Sequence, residues 1–276
     1  ASASTRLDTS APILSQVSLV QSGVALVATQ SPAVNLLVDV HGADQIRVSG
    51  DLTDTFADEW LPVRTLVAVT LDDSAGDGRK QLTVEARDLA GNISVPASQV
   101  ASIILDRTPP AEASVQINSG EGFATNSSVA LALSATDAHS GVVAMALAND
   151  SIDCGSASYE PFVTVKSWVL GQSDGERRVF ACFRDQAGNA VERSATVQLD
   201  RQPPTNLSVQ INGGAAYSQS SVVRLALGAQ DETSAAAALS MQLSEDPIFT
   251  NATWASFAET LERTLSSGDG AKVLYL

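Results

Sequence analysis

Arg184-Asp185-Gln186-Ala187-Gly188-Asn189, followed by Leu199-Asp200-Arg201-Gln202-Pro203-Pro204, decides the fold because both of its signals occur a second time. Arg87-Asp88-Leu89-Ala90-Gly91-Asn92 precedes Leu105-Asp106-Arg107-Thr108-Pro109-Pro110 in the same way. The chain is a tandem repeat. Asp106 and Asp200 are 94 residues apart, as are Asn118 and Asn212, and Asp137 and Asp231. The first copy is more diverged: Leu7-Asp8-Thr9-Ser10-Ala11-Pro12 stands for the linker signal and Asp39 for Asp137. A period of this length exceeds that of solenoid repeats and matches one domain per repeat.

Within each repeat the apolar residues alternate. Val129, Leu131 and Leu133 share one face, as do Leu82, Val84 and Ala86 in the first copy and Val179, Ala181 and Phe183 in the second. Alternation over short runs separated by Gly, Asp, Asn and Ser predicts half-buried strands. About seven short strands per repeat make a two-sheet sandwich. The expected domains are 1–105, 106–199 and 200–276.

Composition narrows the function. Thirty-one acidic against sixteen basic residues give a net charge of −15. Nucleic acid is excluded as a partner, because phosphate binding needs a basic footprint. Aromatic residues make up only 5% of the chain, which argues against a large aromatic-lined enzyme pocket. No apolar run has the roughly 18 residues of a membrane span. No nucleophile elbow, phosphate loop or zinc-binding His pair is present, so an enzyme is not expected. His41 and His139 occupy matching loop positions and read as tolerated loop residues. The sequons at Asn92, Asn126, Asn149, Asn206 and Asn251 read as chance matches.

The Asp-x-x-Pro-Pro entry, the Gly-Asp-Gly-like turn and the Arg-Asp-x-Ala-Gly-Asn motif together resemble tandem bacterial Ig-like (Big-type) repeats of large cell-surface and secreted adhesin-like proteins. The resemblance implies an all-β chain of tandem Ig-like sandwiches. It also implies an extracellular or surface location, and partners that are other domains of the same long chain or further copies of itself. By alignment Gly270 stands for Gly78 and Gly175, so the third repeat is expected to be truncated within strand F. The expected role is a stalk or spacer on a bacterial surface. The alternatives are a filament subunit in which a donor strand completes the third sandwich, and a glycan- or protein-binding module, for which the diverged segment from Asp51 to Pro62 is the best candidate.

In an Ig-like sandwich the B-C and F-G loops face the incoming linker. Asp106, Asp137 and Asp185 should therefore converge at the first junction, Asp200, Asp231 and Glu232 at the second, and Asp8, Asp39 and Asp88 at the N-terminal pole. Convergent carboxylates require compensation. Calcium, a hard cation that takes six to eight oxygen ligands, is one answer, and the resemblance implies it. Salt bridges are the other, since Arg107 and Arg201 adjoin the linker aspartates and Arg87 and Arg184 adjoin the F-G ones. Both readings stand at this stage.

Cys154 and Cys182 lie in one repeat. With Cys182 on the outer face of its strand, a disulfide would pin a loop across that face and contribute about 3 to 4 kcal/mol in the chain-entropy model. Trp60 and Trp168 are expected to recur near the D-E region, and Trp60, Trp168 and Trp254 all to serve packing.

Overall fold

The computed structural model describes residues 1–233 and 239–276 and is all-β, with two short 3-10 turns and no α-helix among the described residues. Among the described residues no helix is long and apolar enough to cross a membrane. The chain divides into two compact units. One holds Ala1–Gln116, Leu131–Lys166 and Val179–Ala195; the other holds Ile117–Ala130, Ser167–Arg178 and Thr196–Leu276.

In the first unit, the first repeat forms a sheet that wraps into a sandwich. Ile13–Gln21 pairs antiparallel with Ala33–His41, which pairs with Leu66–Thr70. Trp60–Pro62, Gln45–Gly50, Gly78–Arg87 and Ile93–Leu105 lie side by side in that order. The long strand Ile93–Leu105 joins the two groups through a parallel pairing of Val95 with Ile13. Strict alternation places Leu82, Val84 and Ala86 in the interior at 0% exposure, against Leu36, Val38, Val67 and Val69 from the facing strands. Burial of each such Leu or Val contributes about 1.5 to 3 kcal/mol.

The second repeat is built the same way. Ala111–Ile117, Ser128–Thr136 and Val165–Val169 form one sheet; Phe123–Ala124, Ala190–Leu199, Gly175–Asp185, Val142–Asn149 and Glu160–Pro161 form the other. The expected inward residues Val129, Leu131, Leu133, Val179, Ala181 and Phe183 are all buried.

In the second unit, Thr205–Ile211, Val222–Gln230 and Thr260–Thr264 form a three-stranded sheet, and Ser240–Met241 pairs with Ala255–Ser256. Its core is much thinner. Val223, Leu225 and Leu227 are the buried residues of that cluster, with Met241, Phe257, Leu274 and Leu276 packed partly against them. After Thr264 the pairing among described residues is the single bridge from Ser244 to Tyr275.

Candidate functional site

The site grows from the two halves of the repeated motif. Strand Gly175–Asp185 ends in an aspartate whose carboxylate folds the next residues into a tight turn. Asp185 Oδ1 accepts from the backbone N–H groups of Gly188 at 2.7 Å and Asn189 at 2.9 Å. Gly188 has φ +100°, a left-handed conformation that glycine adopts without a Cβ penalty. Asn189 then divides its two amide hydrogens: Nδ2 donates to Asp185 Oδ2 at 2.8 Å and to the backbone carbonyl of Asp106 at 2.9 Å. The motif ends in Asn because this one side chain must close the turn and also hold the linker.

Asp106 is fully buried. Its backbone N–H donates to Thr29 O at 2.9 Å, its Oδ1 accepts from Thr108 N at 3.1 Å, and its Oδ2 accepts from Ser140 N at 3.1 Å and from the Ser140 hydroxyl. Asp137 Oδ1 caps the neighbouring loop by accepting from the N–H groups of His139, Ser140 and Gly141. One carboxylate oxygen from each of Asp106, Asp137 and Asp185 lies within 4.8 Å of the others. The predicted convergence at this junction is present.

The arginines are not where adjacency to the aspartates placed them. Arg107 turns away from Asp106 and binds the loop at 73–77: Nε meets Asp77 Oδ1 at 2.7 Å, and a terminal nitrogen meets Asp73 Oδ2 at 2.6 Å. Its backbone N–H and the Thr108 hydroxyl add bonds to Asp77 Oδ2 at 2.8 and 3.1 Å. In an extended chain successive side chains point to opposite sides, so Asp106 and Arg107 serve opposite neighbours. Arg201 repeats this geometry with Asp174, at 2.6 Å, and with the carbonyl of Gln172. Arg87 stacks on Trp60 at 4.1 Å and Arg184 on Tyr159 at 3.7 Å. No Lys or Arg pairs with Asp106, Asp137 or Asp185 among the described residues.

Electrostatics follow the geometry. Burial pushes the Asp185 carboxyl above its ordinary value; hydrogen bonds from Asn189 and Gly188 oppose the rise, and the like charge of Asp106 adds to it. The same position in the first repeat, Asp88, is lowered, chiefly by the side-chain hydrogen bond from Asn92. For Asp77, burial raises the pKa, but the hydrogen bonds from Arg107 and Thr108 and the charge of Arg107 outweigh it and hold the carboxyl low.

The other two aspartate sets differ. Asp88 and Asn92 build the same turn, and Asn92 Nδ2 donates to Asp8 O at 3.1 Å. Asp8 and Asp39 are exposed, however, and Asp39 lies 3.7 Å from His41. Asp8, Asp39 and Asp88 are not gathered as a ligand trio among the described residues. Asp200 Oδ1 accepts from Gln202 N and Asp231 Oδ1 from Thr233 N, while Glu232 adjoins Asp231 in the chain; these residues form no trio among the described residues either.

The sequence reading missed Ser140. His139-Ser140-Gly141 aligns with His41-Gly42, so the serine that reaches Asp106 is an insertion, visible only as a one-residue difference in spacing.

Cys154 and Cys182 are disulfide-bonded. Cys182 shares its side of the strand with Phe180 and Arg184, opposite the inward Ala181 and Phe183, and is buried because the loop carrying Cys154 and Tyr159 covers that face. Tyr159 donates to Cys154 O at 2.9 Å. Trp60 and Trp168 are not equivalent, contrary to expectation. Trp60 lies on Trp60–Pro62, packed against the guanidinium groups of Arg47 and Arg87, and its counterpart is Tyr159; Trp168 lies on Val165–Val169. Trp254 is exposed beside an apolar cavity of about 350 Å³ lined by Leu207, Met241, Phe257 and Leu276.

No protein-family model matches the chain, and no curated protein matches it in sequence. Among solved structures, the fibronectin(III)-like modules of Clostridium thermocellum CbhA are 13% identical, covering 67% of this chain and 94% of theirs with a TM-score of 0.40. A tetra-tandem repeat from the extending region of a large adhesion protein is 18% identical, covering 92% and 66%, with a TM-score of 0.28. The D00-D0 domain of intimin is 12% identical, covering 66% and 99%, with a TM-score of 0.30. These are likenesses to tandem fibronectin-III and Ig-like modules.

Proposed function

We propose that the chain is a non-enzymatic spacer: a run of Big-type Ig-like sandwiches that holds other modules away from a bacterial surface. The observation that supports this is the two-sided linker. Asp106 is bound by the loops of the second repeat and Arg107 by a loop of the first, so consecutive residues tie the joint to both neighbours. Pro109 and Pro110 follow after Thr108 and restrict the backbone without a flexible Gly/Ser tract. A chain whose role is reach needs joints of this kind, while a binding module needs an exposed pocket with convergent polar groups. The disulfide fits an oxidising, extracellular setting.

Calcium is part of the same reading. The donor set at Asp106, Asp137 and Asp185 is all hard oxygen, and two of its three carboxylates are buried without a basic partner. The Ser140 hydroxyl and backbone N–H groups occupy some of the lone pairs but supply no full charge. A divalent cation bound by these residues would neutralise them and fasten the linker to the second repeat.

Terbium luminescence and thermal melting test the cation. Saturable terbium binding displaced by calcium, with a melting temperature that falls in chelator and no longer responds in Asp185→Asn, is expected. A midpoint unchanged by chelator would remove the cation from the account. Small-angle scattering tests the spacer: Arg107→Ala combined with Asp106→Ala should broaden the distance distribution while leaving the sandwiches folded by circular dichroism. An unaltered distribution would remove the mechanical role of the linker.

A further inference from the structure

The linker pattern continues upstream of Asp8. Ser2-Ala3-Ser4-Thr5-Arg6-Leu7-Asp8 aligns with Val100-Ala101-Ser102-Ile103-Ile104-Leu105-Asp106 and with Ser194-Ala195-Thr196-Val197-Gln198-Leu199-Asp200. The Ala, Leu and Asp positions are common to all three copies, Ser4 recurs as Ser102, and Ser2 recurs as Ser194. In the later copies these residues are the ends of the long strands Ile93–Leu105 and Ala190–Leu199. The leucine is the last residue of the strand and is 0% exposed in both. Two residues earlier, Ile103 and Val197 are also buried, where the first copy has the β-branched Thr5. Leu105 is seated by two backbone neighbours, antiparallel to Gly78 and parallel to Thr29, and Leu199 is parallel to Ala124.

Leu7 has none of this. It is 87% exposed, and residues 1–12 form no strand. Yet the downstream half of its linker is already in the geometry of the later joint. Asn92 holds Asp8 O at 3.1 Å as Asn189 holds Asp106 O, and Asp8 Oδ1 accepts from Ser10 N at 3.0 Å as Asp106 Oδ1 does from Thr108 N. One half of the element is docked, and the half whose counterparts are core residues is bare.

We propose that residues 1–7 are the closing strand of a further sandwich of this same repeat class, joined covalently ahead of the first, with Leu7 in its core. The partner is thus the remainder of that sandwich, whose last strand is residues 1–7 and which offers an apolar seat for leucine between two backbone edges, as Gly78 and Thr29 do for Leu105. Its joint with the first repeat has only the aspartate side of the tie, because Thr9 replaces Arg107 and Arg201. The proposal rests on the reading of the chain as an array of sandwiches, but its test scores strand closure and is unaffected by whether the joints are stiff.

The test exchanges the segment inside the full chain. Ser194–Leu199 is replaced by the sequence of Ser2–Leu7, and hydrogen exchange is followed along Gly175–Asp185. Protection within about 10-fold of the unaltered chain is expected, against a loss of about 100-fold or more in the Leu199→Glu control, since exchange reports local opening. If the exchanged chain opens as far as the Leu199→Glu control, the segment is not a closing strand and the proposal fails. Sedimentation velocity of the unaltered chain tests whether the strand is instead donated to another copy. A monomer at all concentrations is expected; self-association abolished by Leu7→Glu would place the strand in another copy and overturn the proposal.

Discussion

The turn at 87–92 and the turn at 184–189 are built from one motif with the same hydrogen bonds, yet their aspartates have opposite character. Asp88 ionises more readily than a free carboxyl, and Asp185 less readily. Each caps its turn; only Asp185 faces a second buried carboxylate, that of Asp106. What separates the two poles is the linker. At 106 it is enclosed by Thr29 on one side and by Ser140 and Asn189 on the other, whereas Asp8 stands exposed and Ser140 has no counterpart in the first repeat. A local motif therefore makes the turn, and what packs on the turn gives it a different chemistry.

Removing the caps should break the comparison most sharply. Asp185→Ala leaves the N–H groups of Gly188 and Asn189 and the Asn189 amide without their acceptor at a part-buried turn, at a cost of about 2 kcal/mol in denaturant unfolding. Asp88→Ala should cost clearly less, because the linker that its turn holds is exposed at Asp8, whereas the one held by the Asp185 turn is buried at Asp106; equal losses would mean that enclosure of the linker does not distinguish the poles. Ser140→Ala removes the donor that the first repeat lacks and should cost about 1 kcal/mol, with hydrogen exchange quickening at residue 108 but not at residue 10. A matching change at residue 10 would show that the serine is not specific to the joint.

The smallest effect concerns acid. Asp77 has a folded pKa below its ordinary 3.8, so its contribution is fully present above that value and is lost as pH falls through the folded one. Because the pair with Arg107 is partly exposed, the loss should be about 0.5 kcal/mol. Asp77→Asn should remove that part of the acid transition; an identical pH profile would show that Arg107 is held by Asp73 alone.

Much of this was legible in the sequence because the repeats are so regular. Alternation placed Leu82, Val84, Ala86, Val179, Ala181 and Phe183 inside, and the shared spacing brought Asp106, Asp137 and Asp185 to one pole. The cysteine pairing followed from the two cysteines lying in one repeat, and its position from the placement of Cys182 on the outer face of its strand. What failed was inference from adjacency. Arg107 adjoins Asp106 in the chain but points the other way, to carboxylates 30 and 34 residues upstream. Ser140 escaped notice because a one-residue insertion looks like slack in a loop until its hydroxyl is seen on Asp106. Tyr159 was missed as the counterpart of Trp60 because the covering loops differ in sequence, and only the arginines they stack on, Arg87 and Arg184, keep register.

The central claim is that Asp106 and Arg107 together hold the first and second repeats to one another. Electron–electron distance measurement between spin labels at Ser98 and Glu192, both exposed, tests it most directly. The account predicts one narrow distance distribution that broadens in Arg107→Ala and broadens further in Arg107→Ala with Asp106→Ala. A distribution already broad in the unaltered chain, or one that neither substitution changes, would contradict it.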